Sequence, residues 1–277
     1  MRKSLSKLPV TLMGILMYRF LPIRKQIVID NIERVFNDNA TAKEKERLVK
    51  SFYSHLVLLL KEWFFLGWLS SDKIKRQVEI RGVEHLLNAA NQERGVLILT
   101  GHLGSWELTG PVAFHSIHQL KDRFYIIRRP IRNKWIEKMV FKRFDQWGIN
   151  RINSIDAPKK VSQALKNKKI VVFLFDQHAC IKQNSGIAVD FFGIKAGTYR
   201  SLALFSSKYQ TPVVPLSGYR DHKGKHVVEF HPALNWEGHQ DKEKAIYNNT
   251  LRYNQTLEKM ILEHPEQWWW VHRRWKL

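Results

Sequence analysis

A chain of 277 residues, 44% of them hydrophobic, is long enough to bury a sizeable core, which excludes global disorder. Its 46 Lys and Arg against 25 Asp and Glu leave a formal net charge of +21, the charge of a surface that seeks nucleic acid, an anionic membrane, an acidic protein or a phosphorylated substrate. Ten tryptophans and fifteen phenylalanines favour a membrane interface or an apolar ligand among these, and the single cysteine, Cys180, excludes an internal disulfide.

Leu8 to Ile23 is an apolar segment, with Arg2, Lys3 and Lys7 before it and Arg19, Arg24 and Lys25 within and after it. As one helix it would span roughly 24 Å, short of a hydrocarbon core of about 30 Å. It reads as a retained interfacial helix, or at most a short signal anchor, with its cations toward acidic headgroups. An amphipathic helix packed on the domain is the other reading. Helices follow over Gln26–Phe36 and Thr41–Trp68, the second opened by a Thr41–Glu44 capping box. Val78–Arg81 reads as a strand, and Gly82 opens the helix that leads to the central strand.

That central strand is Val96–Leu99, a short apolar run between Gly95 and Gly101 that suits a strand buried on both faces. His102 follows directly and Glu107 comes five residues later, in the first turn of a helix for which Ser105 is the N-cap. With His102 in the turn and Glu107 at the helix start, the carboxylate can accept one imidazole proton and fix the tautomer. The other nitrogen is then free to take a proton from a hydroxyl. A core histidine beside a solvated acid is the competing reading of this spacing alone.

Arg123–Ile127 is a second strand, running into Arg128-Arg129-Pro130. A basic amphipathic helix over Asn133–Trp147 and another over Ala157–Lys166 follow. Lys169–Phe175 is a strand as apolar as the first and ends in Asp176-Gln177. After a loop with Gly186 come Val189–Gly193, a helix over Ala196–Tyr209, a strand over Thr211–Gly218 and an edge strand or hairpin arm over Lys225–Phe230. A long helix, Lys242–His264, is stopped by Pro265. Strands alternating with helices predict an α/β fold with a mixed, largely parallel central sheet flanked by helices. Three buried strands then end in His102, Arg129 and Asp176, and side chains converging at strand ends make a site.

Other chemistries lack their signatures. His115-x-x-His118 has no second ligand pair, so no metal is predicted. Leu103-Gly-Ser-Trp-Glu107 is not a nucleophile elbow, and no phosphate-binding glycine loop or nucleic-acid-binding motif is present. The C-terminal Gln267–Lys276 mixes tryptophans with cations, suited to a membrane interface, to phosphate, or to capping the core.

Taken together, Gly-His102-Leu-Gly-Ser-Trp-Glu107 after a strand, Arg129-Pro130, Asp176-Gln177, Val189–Gly193 with its Phe-Phe-Gly, and Trp270-Val-His-Arg-Arg274 resemble the bacterial lipid A biosynthesis (late, or secondary) acyltransferases, in family order from about residue 26 onward. The resemblance implies a glycerolipid acyltransferase-like fold with N-terminal membrane-associated helices. It makes 1–277 one acyltransferase domain, with 1–25 membrane-associating and 26–277 catalytic. It implies His102 as general base oriented by Glu107, with Arg129, Asp176 and Arg273 on the substrate side, Arg129 to bind acceptor phosphate or stabilise developing negative charge and Asp176 to hold neighbouring groups in place. The reaction would move an acyl chain from an acyl carrier protein thioester, or from coenzyme A, to a hydroxyl of an anionic glycolipid. That acceptor is most simply a lipid A precursor; related members acylate phosphatidylinositol mannosides. The implied setting is the cytoplasmic face of the bacterial inner membrane, with peripheral or single-pass attachment, no cofactor and no nucleic acid. A non-catalytic, basic membrane- or polyanion-binding protein on the same fold is the alternative.

Overall fold

The structure, a computed structural model, describes residues 5–65, 74–128, 133, 137, 147–182 and 185–276. Three helices come first, α1 (Leu12–Phe20), α2 (Lys25–Phe36) and α3 (Ala42–Phe65). Alternating elements follow: β1 (Val78–Arg81), α4 (Val83–Ala90), β2 (Val96–Thr100), α5 (Trp106–Ser116), β3 (Phe124–Arg128), β4 (Asn150–Asn153), α6 (Ala157–Lys166) and β5 (Ile170–Leu174). The chain then runs through β6 (Gly186–Phe191), β7 (Ile194–Tyr199), α7 (Ser201–Tyr209), β8 (Val213–Arg220), β9 (His226–Phe230) and α8 (Lys242–Glu263).

Seven strands form one sheet in the order β1-β9-β8-β2-β5-β3-β4, with every neighbouring pair parallel except β8 and β9. The largely parallel sheet flanked by helices is thus the predicted one. Its central strands are apolar without interruption because both faces are covered. Leu97 and Leu99 of β2, with Val171 and Phe173 of β5, face one core, shared with α2, α3 and α8. Val96, Ile98, Ile170 and Val172 alternate to the other, shared with α4 and α5.

Of the two readings of Lys225–Phe230 the hairpin arm holds, and it is not an edge, because β1 pairs along its far side. Two expectations need correction. The helix expected over Ala196–Tyr209 starts only at Ser201; Ile194–Tyr199 is a strand, paired antiparallel with β6. Phe192 and Gly193 both have positive φ, 54° and 72°, as a two-residue type I′ hairpin turn requires. The apolar Leu8–Ile23 is not one helix either. Leu8 is buried and its N–H donates to Glu266 Oε1 at 3.3 Å, and the helix begins only after Thr11, an extended N-cap whose Oγ1 accepts from the Gly14 N–H at 3.1 Å. The nine residues of α1 reach about 14 Å. Among the described residues no helix is long and apolar enough to cross a membrane.

Helix α1 lies against α3 at close range: a Cβ on Gly14 would come within 2.0 Å of Ser54 Oγ. The Thr41–Glu44 capping box is formed in both directions, Thr41 N–H to Glu44 Oε2 at 2.8 Å and Glu44 N–H to Thr41 Oγ1 at 3.3 Å. The helix expected over Asn133–Trp147 falls almost wholly outside the described residues.

Candidate active site

The parallel register pairs Thr100 at the end of β2 with Leu174 at the end of β5. Extending it two residues sets His102 beside Asp176, and the Phe175 N–H to Thr100 carbonyl bond of 2.8 Å carries the pairing past the strand ends. Asp176 is 3% exposed and is grasped from three sides. Its Oδ1 lies 2.8 Å from His102 Nδ1, while its Oδ2 accepts from the His102 backbone N–H at 2.9 Å and from the Trp268 indole N–H at 2.9 Å.

The C-terminal segment completes this support. Trp268 pairs with Leu103 in an isolated antiparallel bridge, the Trp269 N–H donates to the His102 carbonyl at 3.0 Å, and the Gly104 N–H donates to the Gln267 carbonyl at 3.0 Å. Gly104 has φ of 57°, and a Cβ there would sit 2.6 Å from the Gly218 carbonyl oxygen, so the turn after His102 needs glycine on both counts. The Trp106 ring meets the His102 ring edge to face at 4.9 Å and the Trp269 ring at 5.3 Å.

These contacts set the protonation states. Burial opposes the charge on Asp176, but the imidazole's charge and the hydrogen bonds from His102 and Trp268 hold its pKa at about 2. Burial pushes the His102 pKa down; the charge and hydrogen bond of Asp176, with the charge of Glu107, outweigh it and leave the pKa raised above 6.5. An ionised Asp176 keeps the proton on Nδ1, which makes Nε2 the free base. Nε2 lies 3.3 Å from the Gln177 amide nitrogen, which donates to it.

Glu107 is exposed and makes no hydrogen bond to His102 among the described residues. The surrounding protein withholds enough water to raise its pKa, against the pull of the His102 charge. The expectation that Glu107 fixes the tautomer is therefore corrected, since Asp176 occupies that position. Asp176 holds neighbouring groups in place, as expected, but it does so beneath the imidazole rather than on the substrate side, accepting from His102 and Trp268.

An apolar cavity of about 240 Å³ opens at His102 and Glu107. Phe114 of α5, Ile126, Val172, Leu216 and Val228 of the sheet, and Arg128 line it. Gly110 and Pro111 also line it, and Pro111, inside α5, has no N–H for the helical bond there. Arg129 lies outside the described residues; Arg128 is paired with Glu137. Arg273 is exposed and does not line the cavity.

Its neighbour Arg274 is fully buried, donating to the Gly197 carbonyl and, at 2.8 Å, to Thr198 Oγ1, with its guanidinium 4.7 Å from the Phe191 ring. Burial lowers its pKa to about 10, and it makes no ion pair among the described residues. The sequence reading missed the parts played by Trp268, Gln177 and Arg128. Only the Asp176-Gln177 and Arg128-Arg129 strand ends carried a signal for the last two. His115 packs its ring on Trp147 at 4.9 Å, and no cluster of three or more metal-ligating side chains occurs among the described residues.

A profile of the bacterial lipid A biosynthesis acyltransferases matches residues 3–277. The chain belongs to that family. It is 26% identical over 272 residues to the lipid A biosynthesis palmitoleoyltransferase of Escherichia coli, covering 96% of this chain and 83% of that protein. To the lauroyltransferase of the same organism it is 27% identical over 274 residues, covering 95% and 83%. Both relatives are lipid A acyltransferases, so acyl transfer in lipid A biosynthesis is the activity that family membership supports. A solved 1-acyl-sn-glycerophosphate acyltransferase of Thermotoga maritima aligns over 89% of this chain and 96% of its own, with a TM-score of 0.36 and 13% identity, too distant a likeness to argue from.

Titrating the His102 ring by NMR tests the electrostatics of the site. The wild type is expected to show a pKa above 6.5; Asp176→Asn removes the charge that opposes desolvation and is expected to bring it below 6.5. An unchanged pKa in the variant would contradict the pairing.

Proposed function

We infer that the protein transfers an acyl chain from an acyl thioester to a hydroxyl of an anionic, lipid A-like glycolipid, with His102 as general base. One observation carries this reading: a histidine with its Nδ1 proton fixed by a buried carboxylate stands at the mouth of an apolar cavity. The acyl chain lies in the cavity, which brings the thioester carbonyl to His102. The acceptor hydroxyl gives its proton to Nε2 as its oxygen bonds the carbonyl carbon; the C–S bond then breaks and Nε2 returns the proton to the leaving thiolate. A positioned base of this kind contributes about 10²–10⁴ in rate.

Glu107, at the cavity mouth, favours the imidazolium that forms, through its charge. Arg129 and the exposed Arg273 are the cations assigned to acceptor phosphate. Acyl carrier protein, itself acidic, suits a donor for a surface of +21 better than coenzyme A does.

Attachment to the cytoplasmic face of the inner membrane is assigned to α1 and the end of α3. Leu12 is 72% exposed, Leu21 74% and Phe64 67%, with Met13, Phe20 and Trp63 also open. Such side chains beside Arg19, Arg24 and Lys25 fit a peripheral, interfacial mode of binding to anionic lipid.

In the assay, purified wild type and His102→Ala are incubated with acyl carrier protein and coenzyme A thioesters and a Gram-negative lipid extract, and the lipids are read by mass spectrometry. One glycolipid is expected to gain one acyl group with the wild type, and the rate to fall at least about 10²-fold in the variant. Activity should climb as pH rises through the raised His102 pKa, because only the neutral ring accepts a proton. A folded wild type that acylates nothing, mycobacterial-type acceptors included, would leave the binding-protein reading instead.

Flotation with phosphatidylglycerol vesicles tests attachment. The triple change Leu12→Ser, Phe20→Ser, Leu21→Ser is expected to weaken binding by at least about tenfold. Equal binding would remove the assignment.

A further inference from the structure

The acceptor's hydroxyl must donate to His102 Nε2, yet that position is filled. The Gln177 amide nitrogen sits 3.3 Å from Nε2 and makes no other hydrogen bond among the described residues. With the Nδ1 proton committed to Asp176 at 2.8 Å, Nε2 of the neutral ring can only accept, which makes the amide a donor to it. Gln177 follows directly on Asp176, so the strand end that supports the base from below also covers it from the side. Gln177 is half-buried and is not among the residues that line the cavity at His102.

A base poised beside a bound thioester has a competing nucleophile, because water placed at Nε2 would be activated just as a hydroxyl is. Attack by water forms the C–O bond of a free fatty acid, passes one proton to Nε2, breaks the C–S bond and returns the proton to the thiolate. The acyl group is then lost as acid and thiol. An amide can hold the lone pair but cannot act as the nucleophile. A single neutral hydrogen bond, with donor and acceptor 3.3 Å apart, is weak enough for a well-anchored acceptor to displace.

We propose that Gln177 is a gate on the catalytic nitrogen, excluding water from His102 Nε2 until the acceptor hydroxyl replaces its amide, and so directing the acyl group to the glycolipid rather than to hydrolysis. The proposal rests on the acyltransferase reading above and adds to it a residue that selects acceptor over water.

The test uses the full chain with lauroyl thioester of acyl carrier protein, following thiol release without acceptor and acylated glycolipid with it. Gln177→Ala and Gln177→Ser are compared with wild type, each checked for an unchanged melting temperature. Both variants are expected to release thiol about tenfold faster than wild type without acceptor, and to keep transfer within about threefold. Their apparent KM for acceptor should be equal or lower, because one hydrogen bond less must be displaced, an effect of roughly two- to tenfold at most. Adding His102→Ala to either variant should abolish the extra hydrolysis. Thiol release at the wild-type level, or loss of transfer in proportion to any change in hydrolysis, would overturn the gate while leaving the transferase reading intact. A wild type that neither transfers nor hydrolyses, under conditions where it is folded and binds lipid, would overturn that reading itself.

Discussion

The arrangement depends on one buried hydrogen bond, Asp176 Oδ1 to His102 Nδ1, made because β2 and β5 are parallel neighbours in register. Val96–Thr100 pairs with Ile170–Leu174 residue for residue, and the Phe175 N–H to Thr100 carbonyl bond carries that pairing past the strand ends. This register is the one that aligns the two side chains. Burial would penalise a carboxylate there, but three donors and the imidazole's charge keep Asp176 ionised. The ionised acid in turn keeps His102 in one tautomer.

The C-terminal tryptophan segment links this pair to the rest of the molecule. Trp268 holds Asp176, Trp269 holds the His102 carbonyl, and Trp270 donates to the Pro265 carbonyl. Asn31 of α2 donates to the Trp270 and His272 carbonyls at 2.7 and 2.8 Å, and Arg24 to the Val271 carbonyl at 3.2 Å. Glu266, fully buried, accepts from the Leu8 N–H. Helix α2 and the residues that precede α1 are thereby joined, through hydrogen bonds between side chains and backbone, to the segment that supports His102.

Much of this was legible in the chain. Apolar strand runs ending in polar residues gave the parallel sheet and put His102 and Asp176 at strand ends. The errors arose where a contact reaches far along the chain or where only packing decides. Glu107 was favoured as partner because it is five residues from His102, whereas Asp176 is 74 away and meets it only through sheet order. Arg273 and Arg274 are alike in sequence, but one is exposed and the other buried against Phe191 and Thr198. Ala196–Tyr199 reads as the start of a helix until Phe192 and Gly193 take the turn that folds this stretch back on β6. The N-terminal helix starts late because Thr11 is its extended N-cap, while Leu8 is held by Glu266, a residue 258 positions away.

Which carboxylate holds the base is best decided by observing the proton it holds. A hydrogen-bonded Nδ1 proton gives a strongly downfield NMR resonance, and wild type, Asp176→Asn and Glu107→Gln can be compared on that one signal. If Asp176 holds His102, the resonance persists in Glu107→Gln and is lost or moved far upfield in Asp176→Asn. Loss of the signal in Glu107→Gln with its retention in Asp176→Asn would contradict the arrangement described above and return the orienting role to Glu107.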